Sequence, residues 1–157
     1  MVIAAGFASR LNINFGGVES LVETFDPTDA ATTKRVRAHV RAELERLLAL
    51  SKTDGMRRLI VAPVTIPTRS AAGYYSRSRL SAIELINQDL RGFASSHTNE
   101  VIFADTISLL RRYPEADVFL DRCCHLSERG NGIVADYLMM LLLDSSHFSQ
   151  ISVPGKM

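Results

Sequence analysis

The chain has only two cysteines, Cys123 and Cys124, and they are neighbours. Adjacent cysteines rarely bridge each other, and two thiols without a second pair do not make a zinc site. An excess of either charge is also missing: 18 Lys and Arg stand against 17 Asp and Glu, a net charge of +1. That argues against an electrostatic grip on nucleic acid or on an anionic membrane. The longest apolar run, Tyr137 to Leu143, has seven residues, far below the roughly 20 that a membrane-crossing helix needs. The start, Met1 to Gly6, has neither a basic opening nor a long apolar region and does not read as a signal peptide. With the unpaired thiols, this favours a reducing, cytoplasmic location. There is no internal repeat and no low-complexity segment. No Gly-rich loop precedes a helix at the needed spacing, which argues against a flavodoxin-like phosphate or nucleotide binder.

What is present is an ordinary globular composition, 46% hydrophobic and 22% charged over 157 residues. That length makes one domain with a single core, expected over residues 1–144 with a tail at 145–157. Met1 to Ala5 predicts a buried strand that ends in a loop at Gly6. Asp26 is placed to cap a helix, Pro27 to take its first position and Asp29 to charge its first turn. Val36, Val40, Leu44, Leu47 and Leu48 then recur at helical spacing, with His39 beside the stripe, until Gly55.

Arg58 to Pro63 is a continuous apolar strand stopped by proline, which reads as parallel and buried on both faces. A loop over residues 67–75 leads to a helix from about Tyr75 to Ser95, with Leu80, Ile83, Ile86, Leu90 and Phe93 on one face. Val101 to Ala104 is a third strand, closed by Asp105. A short helix over residues 106–112 and an extended run at Val118 to Leu120 follow. Ser127 is placed to cap the last helix, whose broad apolar face is Ile133, Val134, Tyr137, Leu138, Leu141 and Leu142. Met139 and Met140 are assigned to the same core-facing helix. Strands and helices in this alternation predict an α/β fold, a three-layer α/β/α arrangement around a parallel sheet with right-handed crossovers. Ligands bind such sheets at the C-terminal ends of the strands. The loops after Gly6, after Pro63 and at Asp121 to His125 all open on that edge.

The last of these loops carries the chemistry. A histidine acting as general base needs one ring nitrogen free and the other held as N–H by an acceptor, which a carboxylate supplies. Asp121 stands four residues before His125, close enough for the two to meet within one loop. The plainer alternative is that Asp121 caps the following turn and His125 is merely exposed.

The order Asp121, His125, Leu126, Ser127, two polar residues, Gly130, Asn131 and then an apolar helix resembles the C-terminal motif of the SGNH (GDSL-type) ester hydrolases. The likeness runs in order from about Val2 to Leu143. It takes in the strand ending at Pro63, the stretch Ile86-Asn87-Gln88-Asp89-Leu90-Arg91 (similar to the family's Asn-x-x-Leu) and the strand closed by Asp105. The resemblance implies a cofactor-free esterase with a Ser-His-Asp triad, His125 as base and Asp121 as its orienting carboxylate. The substrate it implies is a small-molecule or carbohydrate ester.

This chain departs from the family pattern in three ways. Three residues separate Asp121 from His125 where the family has two. Gly6-Phe7-Ala8-Ser9 stands where the family has its Gly-x-Asn-Asp oxyanion block, leaving Gly6, Asn12 and Asn14 as the candidate donors. No Gly-Asp-Ser occurs, so the nucleophile is either Ser9 or a serine from sequence ahead of Met1, with the fold incomplete at its N-terminus. The competing reading is a non-catalytic α/β binding module whose triad has decayed.

Other residues invite less. Cys124 and His125, adjacent on an extended loop, point apart rather than forming a thiol–imidazole pair. Asp105 suits a turn cap. Arg111-Arg112 and the pair Arg77 and Arg79 read as solvated faces. His97 and His147 have no partner at metal-ligand spacing.

Overall fold

The computed structural model describes residues 25–55, 58–67, 73–122 and 124–143. The strand expected at Met1 to Ala5 and the tail at 145–157 lie outside the described residues.

The first helix, α1 (Ala30–Thr53), begins later than its sequence suggests, because Asp29 and not Asp26 is the N-cap. Asp29 accepts the Ala31 N–H at 2.9 Å and also the Thr32 hydroxyl. Asp26 is held one turn earlier, accepting the Thr28 N–H at 2.8 Å and the Thr28 hydroxyl at 2.7 Å. Pro27 is thereby a turn residue rather than the first helical one. The local reason is that both aspartates offer a cap, and the one whose carboxylate reaches two donors inside the helix starts it. Hydrogen bonds, the Thr28 and Thr32 hydroxyls first in each case, hold both carboxyls below the usual aspartate range. At the other end Gly55, at φ 69°, takes the left-handed conformation that follows many helix ends.

Two short strands, β1 (Leu59–Val61) and β2 (Val101–Phe103), pair in parallel with Leu59 opposite Val101 and Val61 opposite Phe103. The ladder extends at both ends, through Leu59 N–H to Glu100 O at 2.8 Å and Ala104 N–H to Val61 O at 2.9 Å. Between them runs α2 (Arg77–Ser96), capped by Ser76. The parallel pairing and the crossover helix are as the sequence predicts. Of the stretch Arg58 to Pro63 expected to be buried on both faces, Val61, Ala62 and Pro63 are buried, whereas Arg58, Leu59 and Ile60 are only half-buried.

The core is in two parts. Val36, Val40, Leu44 and Leu48 of α1 pack with Leu85, Leu90 and Phe93 of α2 and with Val61 and Val101 of the sheet. A smaller cluster, Leu110, Val118 and Val134, joins three further helices, α3 (Thr106–Leu110), α4 (Glu115–Val118) and α5 (Glu128–Leu143). Of the run Val118 to Leu120 that the sequence reads as extended, Val118 thus ends the helical turn of residues 115–118, and Phe119 forms a bridge to Leu126.

The expected face of the last helix is kept in part: Val134 is buried, Ile133 and Leu138 pack against its cluster, and Tyr137 and Leu141 are half-buried, so the correction falls on Leu142, Met139 and Met140. Val134 and Gly130 are buried, whereas Met139, Met140, Leu142 and Leu143 are exposed, Met140 by 67%. The cause is length. With a rise of about 1.5 Å per residue, α5 is several times longer than α3 and α4, and they cover only its first turns.

Two polar side chains tie the layers. Asn87 clamps the backbone beyond β1, accepting the Val64 N–H at 2.7 Å and donating to the Val64 carbonyl at 3.0 Å. Asp89, on the same helix, lies 3.7 Å from Arg37 of α1, with one carboxylate oxygen buried and unpartnered among the described residues. Burial pushes its carboxyl above the usual range, against the pull of Arg37 and Arg41.

Replacing Asn87 with Leu is expected to lower stability by about 2 kcal/mol in a urea titration, because both Val64 backbone groups lose their partner. For Asp89 the folded-state value lies above the unfolded one, so the folded chain binds more protons in that window and stability falls as pH rises through it. Asp89→Asn should therefore melt at a higher temperature than wild type at pH 7. The gap should close as pH is lowered below the ordinary aspartate value, which melting curves between pH 3 and 7 will read.

Candidate active site

The loop between α4 and α5 is fastened on both sides before any chemistry is considered. Leu120 N–H donates to His125 O at 2.8 Å, and Ser127 N–H donates to Val118 O at 3.0 Å. Ser127 also serves as the expected cap, accepting the Gly130 N–H at 3.1 Å while its hydroxyl donates to Asp117 O at 2.6 Å. The Cα of Gly130 packs against Val118 so closely that a Cβ there would stand 2.2 Å from the Val118 oxygen. Only glycine allows that approach, and it sets where α5 starts relative to the loop.

Within this frame Asp121 and His125 meet. His125 Nδ1 is 2.5 Å from Asp121 Oδ2. The other oxygen, Oδ1, accepts the backbone N–H groups of Cys124 at 3.2 Å and His125 at 3.3 Å. The turn cap and the histidine partner, alternatives in the sequence, are thus one carboxylate using its two oxygens separately. The three intervening residues do not keep the pair apart. Both side chains are open to solvent, 68% for His125 and 41% for Asp121.

His125 borders a cavity of about 270 Å³ between the strand ends and α5, which Pro63, Thr65, Thr106, Leu126 and Asn131 also line. The hydroxyls of Thr65 and Thr106 are 2.8 Å apart. Asn131 donates to Leu126 O at 3.3 Å. Neither threonine belongs to a motif, and the one signal for them is position: each lies a few residues past the C-terminal end of a parallel strand, where ligands are expected.

The remaining candidates divide. Ser9, Gly6, Asn12 and Asn14 lie outside the described residues. Asp105 caps α3, accepting from the Ser108 N–H at 3.2 Å, and pairs with Arg91 at 3.4 Å. His97 bonds Phe93 O at 2.9 Å and stacks on the Phe93 ring, an end-of-helix role. His39 is half-buried, with Nε2 unpartnered among the described residues. Among the described residues no three His, Cys, Asp or Glu side chains are grouped to hold a metal ion, and no helix is long and apolar enough to cross a membrane.

No protein-family model, curated protein or solved structure matches the chain.

Gly130→Ala is expected to cost about 3 kcal/mol, since a backbone oxygen cannot yield as a flexible side chain would. Chemical unfolding will measure this, and the variant should also lose the protection of the Leu120 amide in hydrogen exchange.

Proposed function

We propose that this chain is an ester hydrolase of SGNH type, built on a three-layer α/β/α fold and cleaving acyl or acetyl esters through a Ser-His-Asp triad. The observation that supports it is the Asp121–His125 pair beside a cavity at the C-terminal edge of two parallel strands. With Nδ1–H donated to Asp121, His125 has Nε2 as its basic nitrogen. The nucleophile in this reading is a serine outside the described residues, for which Ser9 is this chain's candidate.

The serine oxygen bonds the ester carbonyl carbon as Nε2 takes the hydroxyl proton. The imidazolium then returns that proton to the departing alcohol oxygen as the ester C–O bond breaks. Water repeats the sequence on the acyl-enzyme and releases the acid. Asp121 stabilises the imidazolium in both halves without taking the proton. Gly6, Asn12 and Asn14 are the proposed donors to the oxyanion.

A second reading, a non-catalytic binding module, draws on the exposure of the imidazole, since water competes with the directed hydrogen bonds that a preorganised site relies on. A fluorophosphonate probe separates the two. Labelling of a serine supports the hydrolase, and no labelling even of the chain in its native sequence context supports the module. On p-nitrophenyl acetate, His125→Ala should abolish turnover, and Asp121→Asn should lower it by ~10⁴-fold. Turnover unchanged in His125→Ala would reject the assignment.

A further inference from the structure

The cavity beside His125 holds a pair of hydroxyls that the proposed chemistry does not use. Thr65 and Thr106 both line it. The Thr65 hydroxyl donates to Pro63 O at 3.2 Å, and this takes its one proton. Thr106 is therefore the donor in the 2.8 Å contact between the two hydroxyls. Its own oxygen keeps its lone pairs, and among the described residues nothing donates to them. We propose that Thr106 determines specificity: the group that the substrate places in this cavity is neutral and bears a hydroxyl, which donates to Thr106 Oγ1. The proposal rests on the hydrolase reading for the ligand's being the substrate.

Three observations carry it. First, the acceptor is enclosed and held in place. Thr106 is only 4% exposed, and α2 grips both strand-end loops, through Asn87 at Val64 and, four residues on, through Arg91 at Asp105. A ligand meeting a fixed acceptor spends no free energy on ordering it. Second, no Lys, Arg, Asp or Glu is among the described residues that line the cavity. A cationic donor would lose its water there and meet no carboxylate, so the donor is neutral. Third, Ala62, Pro63, Leu110, Leu126 and Val134 supply apolar wall. A hydroxyl brings one polar atom against that wall and an amide brings two, so the hydroxyl is the neutral donor with least to desolvate.

Binding can be measured without turnover. Three small ketones separate the donor from size: hydroxyacetone carries it, butanone has a methyl group in its place, and methoxyacetone keeps the oxygen without the proton. In NMR titrations of the full chain, followed at the backbone amides of Leu126 and Asn131 on the cavity wall, hydroxyacetone should bind more tightly than methoxyacetone. The ratio of the butanone to the hydroxyacetone dissociation constant should fall about fivefold in Thr106→Val, the loss of one neutral hydrogen bond. Thr106→Ser keeps the oxygen and should keep the ratio, a rescue that lost packing would not give. Melting temperatures check that both variants fold, and the comparison in the wild type needs neither. No binding of hydroxyacetone, methoxyacetone binding as tightly, a ratio unchanged in Thr106→Val, or one lost in Thr106→Ser would each overturn the proposal. The outcome is separable from the hydrolase reading. A hydroxyl preference without ester turnover leaves the recognition standing and removes the esterase, and turnover without a preference does the reverse.

Discussion

The parallel ladder between β1 and β2 is short, but both halves of the core depend on it. Its hydrogen bonds run from Leu59 and Glu100 to Val61 and Ala104, and they bring residues some forty positions apart into register. One consequence is the α1–α2 core, which needs Val61 and Val101 as its floor. The other lies past the C-terminal end of the strands, where Thr65 and Thr106 meet through their hydroxyls. From that point α3 leads to the second cluster and to the histidine. Without the ladder there is no edge for a site to sit on.

The candidate site is a small piece of geometry with a strict requirement at one position. Gly130 lets α5 approach Val118, the Val118 oxygen accepts from Ser127, and the loop between is short enough for Asp121 to turn back on His125. The carboxylate is therefore held by backbone N–H groups through one oxygen while the other faces the imidazole. A carboxylate fixed in this way loses little freedom on engaging the ring, which is the physical content of preorganisation. The exposed apolar surface at Met139, Met140, Leu142 and Leu143 is a separate matter. It follows from a long helix packed against two short ones.

Much of the local architecture was legible from residue order. Periodicity places α1 and α2 to within a few residues, proline and Asp105 mark the strand ends, and Ser127 marks the start of α5. The misplacements were local ones. Asp26 and Asp29 are both competent caps, and only the reach of each carboxylate to Thr28 or to Thr32 separates their roles. Val118 to Leu120 has the composition of a strand, yet residues 115–118 wind into a turn that buries Val118 against Val134.

By itself the sequence determined the alternation of elements, the parallel pairing and the identity of the Asp121–His125 pair, because each depends on spacing and on residue chemistry. Tertiary structure alone decided whether that pair meets across three intervening residues, since this turns on the direction of two side chains set by Gly130 and the Leu120–His125 bond. It also decided which residues share the space around His125. Thr65, Thr106 and Asn131 are brought there from three separate elements. Proximity of that kind is a property of packing, and no spacing along the chain encodes it directly.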